Sequence, residues 1–522
     1  MPLPPRLQPL LRPSFWLPIL CLAGLATLYA VWVWSNALTD LGGDSATYLI
    51  ISRLYSPYHS ASDAALAFKS GIFSPPMFPF LLSLVDGGYH FLAAHLLVAF
   101  FAVASAVALY FWLKREDVPL PIAGSIALLF ALLPATMQTA LNIWSEFPAL
   151  FFSMAAVALL AQTRRGQATP SATWFAAAAM VACACLTRVA ALSLLGAFLL
   201  TLLIHRPRKF LLIGAVAALP FLSWAAYSAL MERGAGVYAH VLASGYEGDP
   251  VTKFLIQINV EYDAVLRAWK MGWLQYSSSA ELHGIVGGFL LLCVAGCLYR
   301  LVNLRFDALY ALLYAIELFV WPHPEEAARY SFVLYPILIA SGLLLLKALP
   351  RNISRPGGKP YLLGLGAGVA ILCALPAIAY DLEIFFGPIP AEIEAARHTQ
   401  DWYAGNRYYA TVNAYFYRRL FGNLAEIDRI VAPDQCIFTI KPSLITLLSD
   451  RKGTALPRIV DSDATFNEGI GKCRYVYVLP FASPSFPQMF YPMERLGDRA
   501  KIVSRIDDDA GNLDGALLEI TP

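Results

Sequence analysis

The feature that most constrains this chain is the recurrence of apolar stretches about as long as a bilayer is thick. A hydrocarbon core near 30 Å takes about 20 helical residues to cross. Runs that fit occur at 14–34, 89–113, 119–136, 143–162, 171–187, 188–204, 209–230, 283–302, 304–321, 329–347 and 361–380. The chain is 58% hydrophobic and only 14% charged, where an ordinary soluble domain carries about 25% charged residues. Lipid must therefore solvate part of it. The expectation is an α-helical polytopic membrane protein of about eleven transmembrane helices. A formal net charge of +2 gives no reason to expect a nucleic-acid partner.

The run Ser14 to Trp34 is too long for a signal-peptide core and lacks a small-residue cleavage site, so it reads as a retained span. The short neighbours 171–187 and 188–204 read either as two spans or as one long kinked helix. Positive charge decides between them. With eleven spans, Arg6, Arg12, Lys114, Arg115, Arg164, Arg165, Arg206, Arg208, Lys209, Arg300, Arg305, Lys347, Arg351, Arg355 and Lys359 share one side. The short loops opposite hold only Arg188 and Arg329. Merging the pair would carry Arg206, Arg208 and Lys209 across. The expected orientation has the N-terminus cytoplasmic and the C-terminus outside.

Three long segments then lie outside: 35–88, 231–282 and 381–522. Amphipathic stretches in the first two, Ala46 to Tyr55 and Phe254 to Trp273, are suited to the interface plane with their apolar faces in lipid. The Trp and Tyr residues of 254–276 suit an interfacial aromatic belt. The division expected is a membrane module over 1–380 and a soluble outer domain over 381–522, long enough to fold on its own. That tail opens with helix-like sequence from Pro390 to Leu424. Strand-like runs follow at Cys436–Ile440, Tyr475–Leu479, Ile502–Ile506 and Ala516–Ile520, with a helix at Leu444–Leu448, which predicts a small α/β domain. Of eight cysteines, six fall in predicted spans, where a thiol behaves as a small hydrophobe. Cys436 and Cys473 fall in the outer domain, and the sequence leaves open whether they pair. No Cys/His spacing suggests a metal site.

Polar residues on the outer side are few enough to weigh singly. Leu-Thr-Asp-Leu-Gly-Gly-Asp-Ser-Ala-Thr-Tyr-Leu (38–49) follows the first span and carries Asp40 and Asp44. Gly42 and Gly43 permit a tight turn that aims Asp44. Asp44 suits a helix N-cap and equally a general base at the membrane surface. A shaped, proline-bearing stretch, Ser-Gly-Ile-Phe-Ser-Pro-Pro-Met-Phe-Pro-Phe (70–80), comes later in the same loop. Glu146, in Asn-Ile-Trp-Ser-Glu-Phe-Pro (142–148), reads as a complement to a helix dipole or as the lining of an outward cavity. Arg188, in Leu-Thr-Arg-Val-Ala (186–190), reads as a side chain snorkelling to the interface or as a phosphate ligand. The segment Trp-Pro-His-Pro-Glu-Glu-Ala-Ala-Arg-Tyr (321–330) concentrates His323, Glu325, Glu326, Arg329 and Tyr330, either as a solvated loop or as a site. Glu317, about a turn inside the preceding span, needs a partner, which Arg329 or Arg188 can supply.

Taken in order, these motifs resemble the GT-C superfamily of polytopic glycosyltransferases, especially bacterial members similar to protein O-mannosyltransferases and lipid A aminoarabinose transferases. The resemblance runs over about 14–380. It rests on Gly-Gly-Asp-Ser-Ala-Thr-Tyr-Leu, Ser-Pro-Pro-Met-Phe-Pro-Phe, Ser145-Glu146, Leu-Thr-Arg (186–188), and Arg329-Tyr330 leading into Tyr335-Pro336. It implies a polyprenyl-phosphate sugar donor, an acceptor (lipid, glycan or protein) met at the outer face, and a bacterial inner membrane location. Asp44 matches the loop aspartate taken as general base. Arg188 and Arg329 match basic positions near the lipid phosphate. Glu146 corresponds by position only. Asp40, Tyr48, Glu317, His323 and Tyr330 complete the candidate substrate-binding set. Many relatives carry adjacent acids in the loop motif. Here Ser45 follows Asp44, and the other acid, Asp40, lies four residues earlier, so metal-independent chemistry and no cofactor are expected. The rival readings are a transporter or flippase of lipid-linked glycans, which usually shows two corresponding halves not found here, and a non-catalytic assembly protein of an envelope polysaccharide system.

Overall fold

The computed structural model describes residues 13–34, 43–69, 74–163, 169–230, 250–274, 279–321, 326–349, 359–386, 424, 427, 429–457, 462–478, 491–507 and 511–521. The membrane part contains α1 (Pro13–Trp34), α2 (Gly43–Arg53), α3 (Asp63–Lys69), α4 (Met77–Leu84), α5 (Phe91–Arg115), α6 (Leu120–Leu132), α7 (Pro134–Thr139), α8 (Glu146–Leu160), α9 (Ser171–Thr187), α10 (Leu192–His205), α11 (Phe210–Leu230), α12 (Pro250–Leu274), α13 (Ala280–Val302), α14 (Phe306–Val320), α15 (Ala327–Ser331), α16 (Tyr335–Ala348) and α17 (Lys359–Phe386). Each predicted apolar run is occupied by helix. Five stretches among the described residues are long and apolar enough to cross a membrane: Phe91–Arg115, Phe210–Leu230, Ala280–Val302, Arg329–Ala348 and Tyr361–Ala379. The chain is a multi-pass membrane protein.

α5 packs against α1 and α8, and α8 also against α9; a second group pairs α13 with α16 and α10 with α14. Close approach between membrane helices depends on small side chains. At the α13–α16 crossing Gly296 faces the backbone of Ser341, and Gly342 faces Cys293. A methyl group at Gly296 would overlap the Ser341 carbonyl. Gly296→Ala is therefore expected to destabilise the protein by about 1–3 kcal/mol, read as a lower midpoint of thermal unfolding in detergent. An unchanged midpoint would show that the helices can part freely there.

Two breaks interrupt the expected spans. The run expected as one span at 119–136 is split: Leu133 is extended (φ −60°, ψ 139°), because the residue before a proline avoids the helical region, here Pro134. α6 and α7 result. Tyr29 of α1 donates to the Ala131 carbonyl (2.6 Å) and Trp32 to that of Met137 (3.0 Å), tying the bend down. Arg188 is likewise extended (φ −153°, ψ 133°) between α9 and α10, so 171–187 and 188–204 are two helices.

The expected interfacial helices behave differently. In α2 Ala46, Leu49 and Ile50 are fully buried, and the helix packs on α4 and on the outer domain, so its apolar face meets protein rather than lipid. In α12 the residues Leu255, Ile256 and Tyr262 are exposed, but Trp269 and Trp273 are buried against Tyr335 and Phe289. They belong to the core and not to an aromatic belt.

The C-terminal sheet region comprises β1 (Cys436–Thr439), α18 (Pro442–Ser449), β2 (Lys452–Ala455), α19 (Asp463–Ile470), β3 (Tyr475–Val478), α20 (Tyr491–Leu496), β4 (Ala500–Asp507) and β5 (Leu513–Ile520). Its five-stranded sheet has the order β2-β1-β3-β5-β4. β1 lies parallel to β2 and β3, and β5 antiparallel to β3 and β4. Both faces of β3 are covered, which explains its unbroken apolar Tyr-Val-Tyr-Val. The fifth strand was not expected: β2 is Lys-Gly-Thr-Ala at a sheet edge, with no apolar alternation to reveal it. Its Gly453 lies where an added methyl would run into the Pro442 backbone. Cys436 and Cys473 are joined by a disulfide, Cα atoms 5.2 Å apart. The helix-like stretch Pro390–Leu424 lies, up to residue 423, outside the described residues.

Candidate functional site

One end of the bundle gathers residues from four separate parts of the chain. Glu146 opens α8 and is fully buried. Its Oε1 receives Arg188 Nη1 at 2.5 Å and also Nε of Arg329 on α15. Arg329 Nη2 continues to Asp44 Oδ2 at 2.6 Å, and Nη1 lies 3.6 Å from Glu326. The result is an alternating ladder, Arg188–Glu146–Arg329–Asp44. A carboxylate withdrawn from water is very costly unless paired; here two guanidinium groups and a helix N-terminus offset that cost. From Glu146 onward exposure rises: Glu146 is 0% exposed, Arg329 12% and Asp44 51%. The last carboxylate faces solvent.

Aromatic rings hold the arginines in place. Arg329 lies over Trp144 at 4.2 Å and Arg188 over Tyr330 at 4.8 Å, contacts that favour a cation over a ring face. Tyr314 donates to the Tyr330 carbonyl (3.0 Å). The Tyr48 and Ser145 hydroxyls are 3.1 Å apart, fixing the middle of α2 beside the start of α8. The Tyr48 ring meets Phe78 edge-on, with centroids 5.1 Å apart; Phe78 belongs to the proline-bearing stretch and is fully buried.

Of the residues singled out from sequence, Asp44, Tyr48, Glu146, Arg188, Arg329 and Tyr330 come together here. Asp40 and His323 lie outside the described residues. Asp44 does not occupy the N-cap: α2 begins at Gly43 and Asp44 sits in its first turn, where its charge still complements the dipole. Glu317, on α14, feels the charge of Arg188 and lies against Ser193, but the ion pairs of Arg188 and Arg329 go to Glu146. Trp144 and Tyr314 were missed, because an aromatic beside an apolar run carries no signal of what it will touch. Two buried polar atoms of the ladder, Glu146 Oε2 and Arg188 Nε, have no hydrogen-bond partner among the described residues. Among the described residues no His, Cys, Asp and Glu side chains group as metal ligands.

A second charged cluster occupies the other end of the bundle. Arg300 binds both oxygens of Asp307 (2.5 and 2.7 Å) and shares Glu116 with Arg305 (2.8 and 2.6 Å). Arg300, Arg305 and Glu116 line a cleft of about 460 Å³ with His205 and Lys347. The arginines there are bound by carboxylates and backbone carbonyls, and the cleft lining includes none of Asp44, Glu146, Arg188 and Arg329. It reads as a knot that fastens α13, α14 and the end of α5.

No protein-family model and no curated protein sequence matches this chain. Two solved structures of ArnT from Cupriavidus metallidurans are similar in fold. One, bound to undecaprenyl phosphate, aligns with a TM-score of 0.55 at 13% identity over 97% of this chain and 98% of that one. The other, in the apo state, gives 0.51 at 13% identity over the same shares. The Archaeoglobus fulgidus oligosaccharyltransferase in complex with Zn and sulfate gives 0.44 at 14% identity over 94% of this chain and 73% of that one, too loose to carry an argument. At such identities the likeness speaks for the fold alone, and the chain has the fold of those ArnT structures.

Proposed function

We propose that this protein is a membrane glycosyltransferase that moves a sugar from a polyprenyl-phosphate donor to an acceptor at the outer face of the membrane. The observation that carries the reading is the charge ladder, which sets two buried arginines beside one half-exposed carboxylate at the outer end of a GT-C fold. Asp44 takes the proton of the acceptor hydroxyl or amine. The acceptor atom forms its bond to the anomeric carbon as the bond from that carbon to the phosphate oxygen breaks. Polyprenyl phosphate leaves with the bonding pair. Arg329 and Arg188 stabilise its growing charge by charge-assisted hydrogen bonds. One displacement inverts the anomeric centre. The ArnT structure bound to undecaprenyl phosphate supports a lipid phosphate as the leaving group. Arg329 Nη2 is paired with Asp44 before any donor arrives, so an incoming phosphate competes for that nitrogen and releases the carboxylate.

The outer side in this reading is the side of the sheet domain. The Cys436–Cys473 disulfide suits an oxidising compartment, and the Arg- and Lys-rich loops suit a cytoplasmic side opposite, which corresponds to a bacterial inner membrane with its C-terminal domain in the periplasm. The division into a membrane module over 1–380 and an outer domain over 381–522 belongs to the same proposal.

The test is release of free polyprenyl phosphate by purified protein in nanodiscs, with a panel of labelled polyprenyl-phosphate sugars and an envelope acceptor fraction. Sugar-selective release is expected. Absence of release with every donor would move the weight to transport or assembly. Turnover is further expected to persist in EDTA, since Asp44 and Glu146 are each engaged by arginine rather than converging on a shared cation position. Loss of turnover in EDTA with recovery on adding Mg²⁺ or Mn²⁺ would overturn metal independence.

A further inference from the structure

The sheet domain packs on the helix that carries Asp44, and one buried cation bonds across that contact. Arg53 closes the last turn of α2 and is 6% exposed. It lies nine residues beyond Asp44, roughly 13 Å along the helix axis. Its Nη2 donates to the Leu447 carbonyl at 2.7 Å, and Nη1 reaches that of Thr446 at 3.5 Å. These are last-turn carbonyls of α18, which lack partners within their own helix, and a guanidinium there also complements the dipole. Nη1 is 3.7 Å from Asp450, the residue that ends α18 at φ 52°. Asp450 in turn accepts from Ser62 at 2.6 Å. Toward the membrane, Arg53 Nε donates to the Gly88 carbonyl at 3.0 Å, and the guanidinium lies 4.6 Å from the Tyr89 ring centre.

The contact is tightly fitted. A methyl group on Gly88 would come within 2.8 Å of Arg53 Cγ and 2.9 Å of the Leu49 carbonyl, so α2 has no slack on that side. α18 is itself held by Leu444, Ile445 and Leu447, all buried. A continuous path of packed groups therefore runs from the sheet through α18 and Arg53 along α2 to Asp44.

We propose that Arg53 is a positioning residue: through it the outer domain sets the placement of α2 and so holds Asp44 against Arg329. The domain is then a part of the site's framework and not only a cover over it. The kinetic side of this inference rests on the glycosyl-transfer reading; the structural side does not. Lysine has a single nitrogen and cannot bridge Gly88 and Leu447 as the planar fork does.

The experiment compares wild type with Arg53→Ala and Arg53→Lys as full-length protein in nanodiscs, by backbone hydrogen exchange and by donor turnover. In both variants the amides of α2 are expected to exchange at least about tenfold faster while β1, β3 and β5 keep their protection. Release of polyprenyl phosphate per folded molecule is expected to fall, by up to about 100-fold for a displaced catalytic group. The half-saturating donor concentration should hold or fall, since Arg188 and Arg329 sit on other elements and a displaced Asp44 competes less for Arg329. A residue that served only global stability would lower the folded fraction and leave the rate per folded molecule unchanged. Should Arg53→Ala fail to fold, Arg53→Lys, with its charge and packed stem, carries the test. Unchanged α2 protection would overturn the proposal even if Asp44→Asn is inactive. Faster exchange in α2 alone would support it even if wild type turned over no donor, an outcome that would count against the transfer reading instead.

Discussion

Asp44→Asn is expected to leave a folded, donor-binding protein whose turnover is about 10²–10⁴-fold slower, the span that a positioned general base contributes. Asn keeps the size of the side chain and an oxygen to face Arg329 Nη2, so the ladder loses charge at its exposed end without losing a packed group. The side chain is 51% exposed, which makes the structural cost small, and an exposed ion pair is worth about 0–1 kcal/mol. Donor affinity should hold or rise, because the phosphate no longer competes with a carboxylate for Arg329. The measurement pairs release kinetics with equilibrium binding of polyprenyl phosphate. Equal turnover by mutant and wild type would remove Asp44 as the base.

Glu146→Ala should have the largest effect on stability of any single change at the site. It leaves Arg188 and Arg329, both nearly buried, facing one another without their shared carboxylate. Removing one partner of a buried ion pair costs about 3–5 kcal/mol, and here one carboxylate serves two cations. A large drop in thermal midpoint is expected, with a smaller one for Glu146→Gln, which keeps a hydrogen-bond acceptor. Removing Arg188 as well should restore part of the loss, since Arg329 retains Asp44; a double-mutant cycle measures that coupling. A Glu146→Ala protein within about 1 kcal/mol of wild type, the ordinary cost of a point mutation, would show that water already enters the site.

What could be read without coordinates follows from how each property is encoded. The span positions came from runs of apolar residues, because a bilayer demands about 20 of them in a row, and helices occupy every such run. The split at Leu133 was encoded too, in Pro134, but was passed over because the run stayed apolar across it. Asp44, Glu146, Arg188 and Arg329 stood out because charge near a membrane is rare and costly. Their pairing was another matter. Glu317 and Glu146 are both acids near span ends, and nothing local in sequence says that the arginines choose the second.

The amphipathic reading of α2 erred for the same reason. Period alone shows that one face of a helix is apolar, and cannot show whether lipid or another part of the protein covers it. The apolar face of α2 met α4 and a domain roughly 400 residues away, a contact of long sequence separation that no local pattern records. Sequence by itself determined which segments leave water, since hydrophobicity is a property of the residue. Only the tertiary structure decided which charges neutralise one another and which helix the outer domain holds, since those depend on distances between parts of the chain that are remote in sequence.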